Sequence, residues 1–303
     1  DLAADGVIEN CRFENLSAKP NRLVNGTVRA TGGIIRKTEF RACNLRYAPV
    51  YVAGDSPVTV EDCLFTGIKS TNLGQQATSA AFYIKGVSGI SQPLVVRRTV
   101  IVNNTLAGSN ASDYSGVART ANGYVMKFED CVITNNVSAS DYGCFNGNVV
   151  CDRCLIEGNT GTQMGVSGTT LTESVFRNCL IRGNTGKNSA GVAYGSGVAR
   201  PFKFENCTVT GNKTETGSSP GLVLGSCGGT TKGWVKNCIV YGNGSKATDV
   251  QMVIDADKVF SSCYPEAAED NVNGNISADP QLNADGTLKY TSPCLDVGDN
   301  LAL

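Results

Sequence analysis

One phrase recurs along this chain: ENCRFEN, EDCLFTG, EDCVITN, DRCLIEGN, RNCLIRGN, ENCTVTGN and KNCIVYGN are versions of the same short run. Aligned on the cysteine, it places Cys11, Cys43, Cys63, Cys131, Cys154, Cys179, Cys207, Cys238 and Cys263 in one slot, with Thr99 filling it in RRTVIVNN. Successive slots are 20 to 36 residues apart. A period of that size marks a stack of repeats, and it explains how 303 residues can form one continuous body.

The residues around the slot give the shape of each repeat. Two positions after it stand Phe13, Leu45, Phe65, Ile101, Ile133, Ile156, Ile181, Val209 and Val240; three before it stand Ile8, Phe40, Val60, Val96, Phe128, Cys151, Phe176, Phe204, Val235 and Phe260. Strand side chains alternate with a period of two, so both columns can face inward only if the chain bends between them. The intervening pair is usually polar, as in Glu61-Asp62, Glu129-Asp130 and Glu205-Asn206, and Asn and Asp tolerate the left-handed conformation of a sharp corner. Five residues after the slot, Asn104, Asn136, Asn159, Asn184, Asn212 and Asn243 predict a second corner whose side chains satisfy backbone groups from coil to coil. A last apolar run, such as Val50-Tyr51-Val52, Phe82-Tyr83-Ile84 or Leu222-Val223-Leu224, completes a coil of three short strands.

This pattern predicts an all-β, single-stranded parallel β-helix of about ten coils with an inward cysteine column. Residues 1–265 read as repeats and 266–303 as a C-terminal capping segment. A buried thiol acts as a small hydrophobe, so the column reads as packing; Cys151 and Cys154 have metal-motif spacing, but the chain contains no histidine and no second such pair. Cys294 lies beyond the repeats, and its pairing with Cys263 as a disulfide stands beside the alternative of two reduced thiols. The first phrase starts almost at residue 1, predicting an open end covered either by upstream coils or by another copy of the chain.

The phrases, and the tail Asp279-Pro280, Tyr290 and Ser292-Pro293-Cys294-Leu295-Asp296-Val297-Gly298, resemble right-handed β-helix proteins of the pectate-lyase-like superfamily, particularly bacterial secreted and surface proteins. That group includes pectate and alginate-type lyases, polygalacturonase-like hydrolases, adhesins, autotransporter passengers and phage tailspikes, so the fold leaves the function open. The polygalacturonase-like Gly-His-Gly segment is absent. The resemblance implies a secreted or cell-surface location. With no recognisable acid/base or metal constellation in the sequence, the expected function is a non-catalytic scaffold for adhesion, glycan binding or assembly, with a divergent polysaccharide lyase or hydrolase and a self-stacking fibre subunit as alternatives.

Lyase chemistry needs a base beside a uronate carboxylate and a cation to hold the developing charge. Lys85, Arg119 and Tyr142 are the candidate catalytic residues, and Asp113, Tyr114, Lys187 and Tyr194 the candidate ligand-binding ones; Asp141 lies among them. They follow or lie in the longer insertions 69–80, 106–116, 137–143 and 185–191, which mostly leave the same corner. No cofactor is expected, except calcium under the lyase alternative. A net charge of −1 with scattered Lys and Arg argues against nucleic acid, and no apolar run reaches the ~18 residues that span a bilayer.

Overall fold

The computed structural model describes residues 1–17, 26–45, 47–54, 56–70, 79–85, 94–107, 115–120, 124–168, 173–187, 191–194, 202–216, 219–224, 233–244, 249–268 and 273–299. The coils pass through four parallel sheets in the same order. Among the described residues the first sheet holds ten strands, from Val7–Glu9 to Val259–Phe260, and the second nine, from Arg12–Glu14 to Ile239–Val240. The third holds seven strands of two residues, from Asn44–Leu45 to Lys213–Thr214, and the fourth nine, from Val28–Ala30 to Met252–Val253. Four strands thus replace the expected three, because the third is too short to leave an alternating pattern in the sequence.

Two corners shape the coil, and they share one design. At the first, the residue before the slot is left-handed: φ is 54° at Asp62, 44° at Arg98, 53° at Asp130 and 52° at Asn206. The slot amide then finds its acceptor in a side chain of the next layer, with Cys63 N donating to Thr99 Oγ1 (3.3 Å), Cys207 N to Cys238 Sγ (3.4 Å) and Cys238 N to Ser262 Oγ (3.1 Å). The slot hydroxyl or thiol in turn donates to the carbonyl two residues before it, as in Thr99 to Arg97 (2.8 Å), Cys131 to Glu129 (3.2 Å) and Cys179 to Arg177 (3.0 Å). The slot therefore needs a small side chain that both donates and accepts, which Cys, Thr and Ser share.

The second corner repeats this with asparagine. Left-handed Asn103, Asn135, Gly158, Gly183 and Gly211 turn the chain, and the next residue carries the ladder. Asn136 N and Nδ2 both donate to Asn159 Oδ1 (2.9 Å each), and Asn159 N and Nδ2 to Asn184 Oδ1 (2.9 and 3.0 Å). Asn159 Nδ2 also reaches Ile133 O at 2.9 Å. The column runs unexposed from Asn104 to Asn212 and closes on Asn243, whose amide donates to Gln251 Oε1 at 2.6 Å.

The apolar columns meet between these corners. Phe13, Phe40 and Phe65 stack with ring centroids 5.0 and 4.6 Å apart, and Phe176 lies on Phe204 at 4.9 Å. Cys131, Cys154, Cys179, Cys207 and Cys238 occupy consecutive layers, as the register Ile133, Ile156, Ile181, Val209, Val240 requires. Burial pushes the Cys63 thiol up to about 11 and raises Cys144, Cys151 and Cys207 as well, so these groups are neutral hydrogen-bonding thiols at neutral pH.

Two slot assignments change. Phe13 pairs with Phe40 and Phe40 with Phe65, which puts Thr38 in the slot of the second coil and moves Ile35 and Phe40 into the two inward columns. Cys43 lies five residues later, in the asparagine column, where its thiol takes the Leu16 amide and donates to Phe13 O (3.6 Å) and Arg41 O (3.3 Å). At the far end Val235 pairs with Val259, so Ser262 holds the slot, and Cys263 is the outward residue bridged to Ile239 and Ile276. Both shifts arise because Thr and Ser do the work of Cys at this corner, so a cysteine alone does not mark the frame.

The outer side of the first sheet is a column of charges that pair up the stack. Arg36 meets Glu9 at 2.9 Å, Arg97 meets Glu129 at 2.7 Å and Arg177 meets Glu205 at 3.0 Å. The corner residues add Arg98 to Asp62 and Arg153 to Asp130, both at 2.7 Å. Hydrogen bonds from Arg36, Arg98, Lys127 and Arg153 hold Glu9, Asp62, Glu129 and Asp130, respectively, below the usual carboxylate range.

Replacing Asn159 with Ala removes a donor pair and an acceptor inside the stack, and should cost about 3 kcal/mol or more in urea denaturation; a loss under about 0.5 kcal/mol would contradict the ladder's role. Because the paired carboxylates have lowered folded-state pKa values, their contribution is complete above the unfolded value of about 4 and is lost as pH falls through the lower folded values. The melting temperature should therefore fall between pH 5 and 3, and Arg98→Gln should make that fall shallower; an unchanged slope would contradict the assignment.

Candidate functional site

The three long faces of the coil differ in what they offer a partner. On the first sheet the charges are engaged with one another, as described above. On the second, the outward column starts with the Arg12 to Glu39 pair at 2.7 Å and continues as Leu64, Val100, Val132, Leu155 and Leu180. The C-terminal strap returns over its far end: Arg182 Nη1 donates to Ala284 O at 3.0 Å, Gly286 lies against Leu180, and Asn237 exchanges two hydrogen bonds with the Asp299 backbone (3.0 and 2.9 Å).

The fourth sheet carries a different set. Its first four strands have three residues each and send the middle one to the outer side, so Arg29, Tyr51, Tyr83 and Arg119 follow on successive layers, with Asn146 in register on the next. Tyr47 joins them from the corner before the second strand. Its ring lies 6.2 Å from Tyr83 at an interplanar angle of 14° and 6.1 Å from Tyr51 at 72°. Tyr51 and Tyr83 are 5.5 Å apart, and the Arg119 guanidinium stands 5.9 Å from the Tyr83 ring centre. Tyr51 is 3% exposed and forms the floor, whereas Tyr47, Tyr83 and Arg119 are half-buried and Arg29 and Lys85 are exposed. Burial raises the Tyr51 and Tyr83 phenols, which stay neutral and able to donate a hydrogen bond at physiological pH.

Of the sequence candidates, Arg119 belongs to this cluster, and Lys85 follows two residues after Tyr83, near enough for its charge to act on that phenol. Tyr142 does not belong to it: it is 6% exposed and packs with Met164, so it lies in packing rather than on the open surface. Lys187 is exposed but lies four layers from Tyr83, roughly 19 Å at the strand spacing of a parallel stack. The backbone of Tyr194 continues the fourth sheet beside Gly168. Asp113 and Tyr114 lie outside the described residues, as does the side chain of Tyr194. Among the described residues no three His, Cys, Asp or Glu side chains converge to hold a metal ion.

The sequence reading passed over Tyr47, Tyr51, Tyr83 and Arg29. The signal was present in Val50-Tyr51-Val52 and Phe82-Tyr83-Ile84, where strict alternation sends the central tyrosine outward. Tyr47 had no such signal, because it sits in a corner and not in a strand.

The family model described as "Right handed beta helix region" matches residues 2–145. No curated protein and no solved structure matches the chain. No helix among the described residues is long and apolar enough to cross a membrane. The matched coils carry the tyrosine cluster and the part of the charge column from Glu9 to Glu129, and beyond residue 145 the same parallel sheets continue in the same register to Phe260. The chain folds as a right-handed parallel β-helix, of which the family model covers the first half.

Proposed function

We propose that this chain is a non-catalytic, secreted or cell-surface β-helix scaffold that binds a glycan on the outer face of its fourth sheet. The observation that carries this reading is the Tyr47, Tyr51 and Tyr83 cluster with Arg119 on its edge. Aromatic faces bear negative charge and attract the polarised C–H face of a sugar ring, while a neutral phenol and a guanidinium supply hydrogen bonds to its hydroxyl or acidic substituents. The three rings span two adjacent layers, so they offer a platform for a ring or two of a saccharide and not a deep pocket. Of the three candidate catalytic residues, Tyr142 is buried in packing beside Met164 and stands apart from Lys85 and Arg119, which supports binding over turnover.

A glycan array should give binding that falls at least tenfold with Tyr83→Ala or Arg119→Ala, with the melting temperature unchanged. Val132→Thr, on the opposite apolar column, should leave binding intact. Equal losses from all three variants, or no bound glycan, would overturn the site. Release of unsaturated product from a uronic-acid polysaccharide, abolished by Arg119→Ala, would overturn the non-catalytic reading.

A further inference from the structure

Among the described cysteines, Cys263 and Cys294 stand apart from the slot thiols. The slot thiols point into the coil and are tied to backbone carbonyls of their own and neighbouring layers, as in Cys207 to Glu205 O (3.2 Å) and Phe176 O (3.4 Å). Cys263 instead projects from the outer side of the last layer, the one-residue offset from Ser262 having turned it outward. There it meets Cys294 from the C-terminal strap. The two thiols are in hydrogen-bonding contact and line the same cavity of about 160 Å3 with Ile239, Ile276, Leu288 and Val297.

The strap around them is held by few anchors. Ser292 Oγ donates to Pro280 O (2.6 Å) and accepts from Cys294 N (3.0 Å), Lys236 meets Asp299 at 3.0 Å, and Cys263 Sγ donates to Ala278 O at 3.2 Å. Segments with few buried contacts and exposed hydrogen bonds open at low free-energy cost, so this strap is a place where one covalent link changes local stability. Cys294 is partly exposed and Cys263 is buried, giving an order of attack.

We infer that Cys263 and Cys294 are a dithiol pair that a low-molecular-weight disulfide converts to a covalent lock, fastening the C-terminal strap over the last coil. The Cys294 thiolate attacks one sulfur of oxidised glutathione, forming a mixed disulfide and releasing one glutathione thiolate. The deprotonated Cys263 sulfur then attacks the Cys294 sulfur and releases the second glutathione. Two protein thiols and one small disulfide become one protein disulfide and two small thiols. Cys238 also borders the cavity, but its thiol is committed inward, donating to Lys236 O (3.1 Å) and accepting from Cys207 N (3.4 Å).

The intact chain is incubated with oxidised glutathione, its free thiols are blocked, and it is digested with trypsin without reduction. Cleavage after Lys258 and Lys289 separates the two residues, so the lock yields peptides 259–289 and 290–303 joined by a disulfide. Exchange of the Cys294 and Asp299 amides should slow at least tenfold on oxidation, and Cys294→Ser should abolish both effects. A persistent glutathione adduct on Cys294, two still-blockable thiols, or a link from either peptide to 237–246, which carries Cys238, would overturn the inference.

Discussion

The fold depends on what happens to one amide at each corner. A parallel stack satisfies its backbone groups layer by layer, but a left-handed residue turns the chain and leaves the following N–H without a carbonyl in the next layer. Here a side chain from that layer takes the amide: a hydroxyl or thiol at the first corner, an asparagine carbonyl at the second. Each acceptor is also a donor to a backbone carbonyl, so one small residue closes two gaps. Apolar columns alone would let neighbouring coils slip. The polar corners fix their register, because a shifted layer would bury orphaned amides.

Most of this was legible in the sequence because the repeats preserve residue type where geometry is strict. The asparagine column and the polar pair before the slot named both corners. What misled was the assumption that cysteine marks the slot. Arg36-Lys37-Thr38 parallels Arg97-Arg98-Thr99, and reading the hydrogen-bonding capacity of the side chain rather than its identity would have set the second coil in frame. Cys43 shows the converse, a thiol standing in an asparagine position. The third sheet was invisible because two residues cannot display a period.

The site was less legible, since surface residues on a solenoid answer to neighbours one layer away and some 30 residues off. Arg119 and Tyr83 are 36 residues apart in the chain yet share adjacent strands. Selection by chemistry and loop position picks Arg119 and Lys85, which the fold sets near Tyr83. It also brought in Tyr142, whose aromatic ring serves packing beside Met164. The charges on the first sheet show the same logic in reverse: residues that look reactive in isolation are stitched to partners on the next layer and serve the fold.

If polar corners set the register, their chemistry matters more than their volume, and Thr99 separates the two. Thr99→Val keeps the shape of an unexposed side chain but removes the acceptor of the Cys63 amide and the donor to Arg97 O. Equilibrium urea denaturation should show a loss of about 1–3 kcal/mol, the cost of stranding a buried amide. A variant as stable as the parent, or more so, would mean that the slot is filled only for packing.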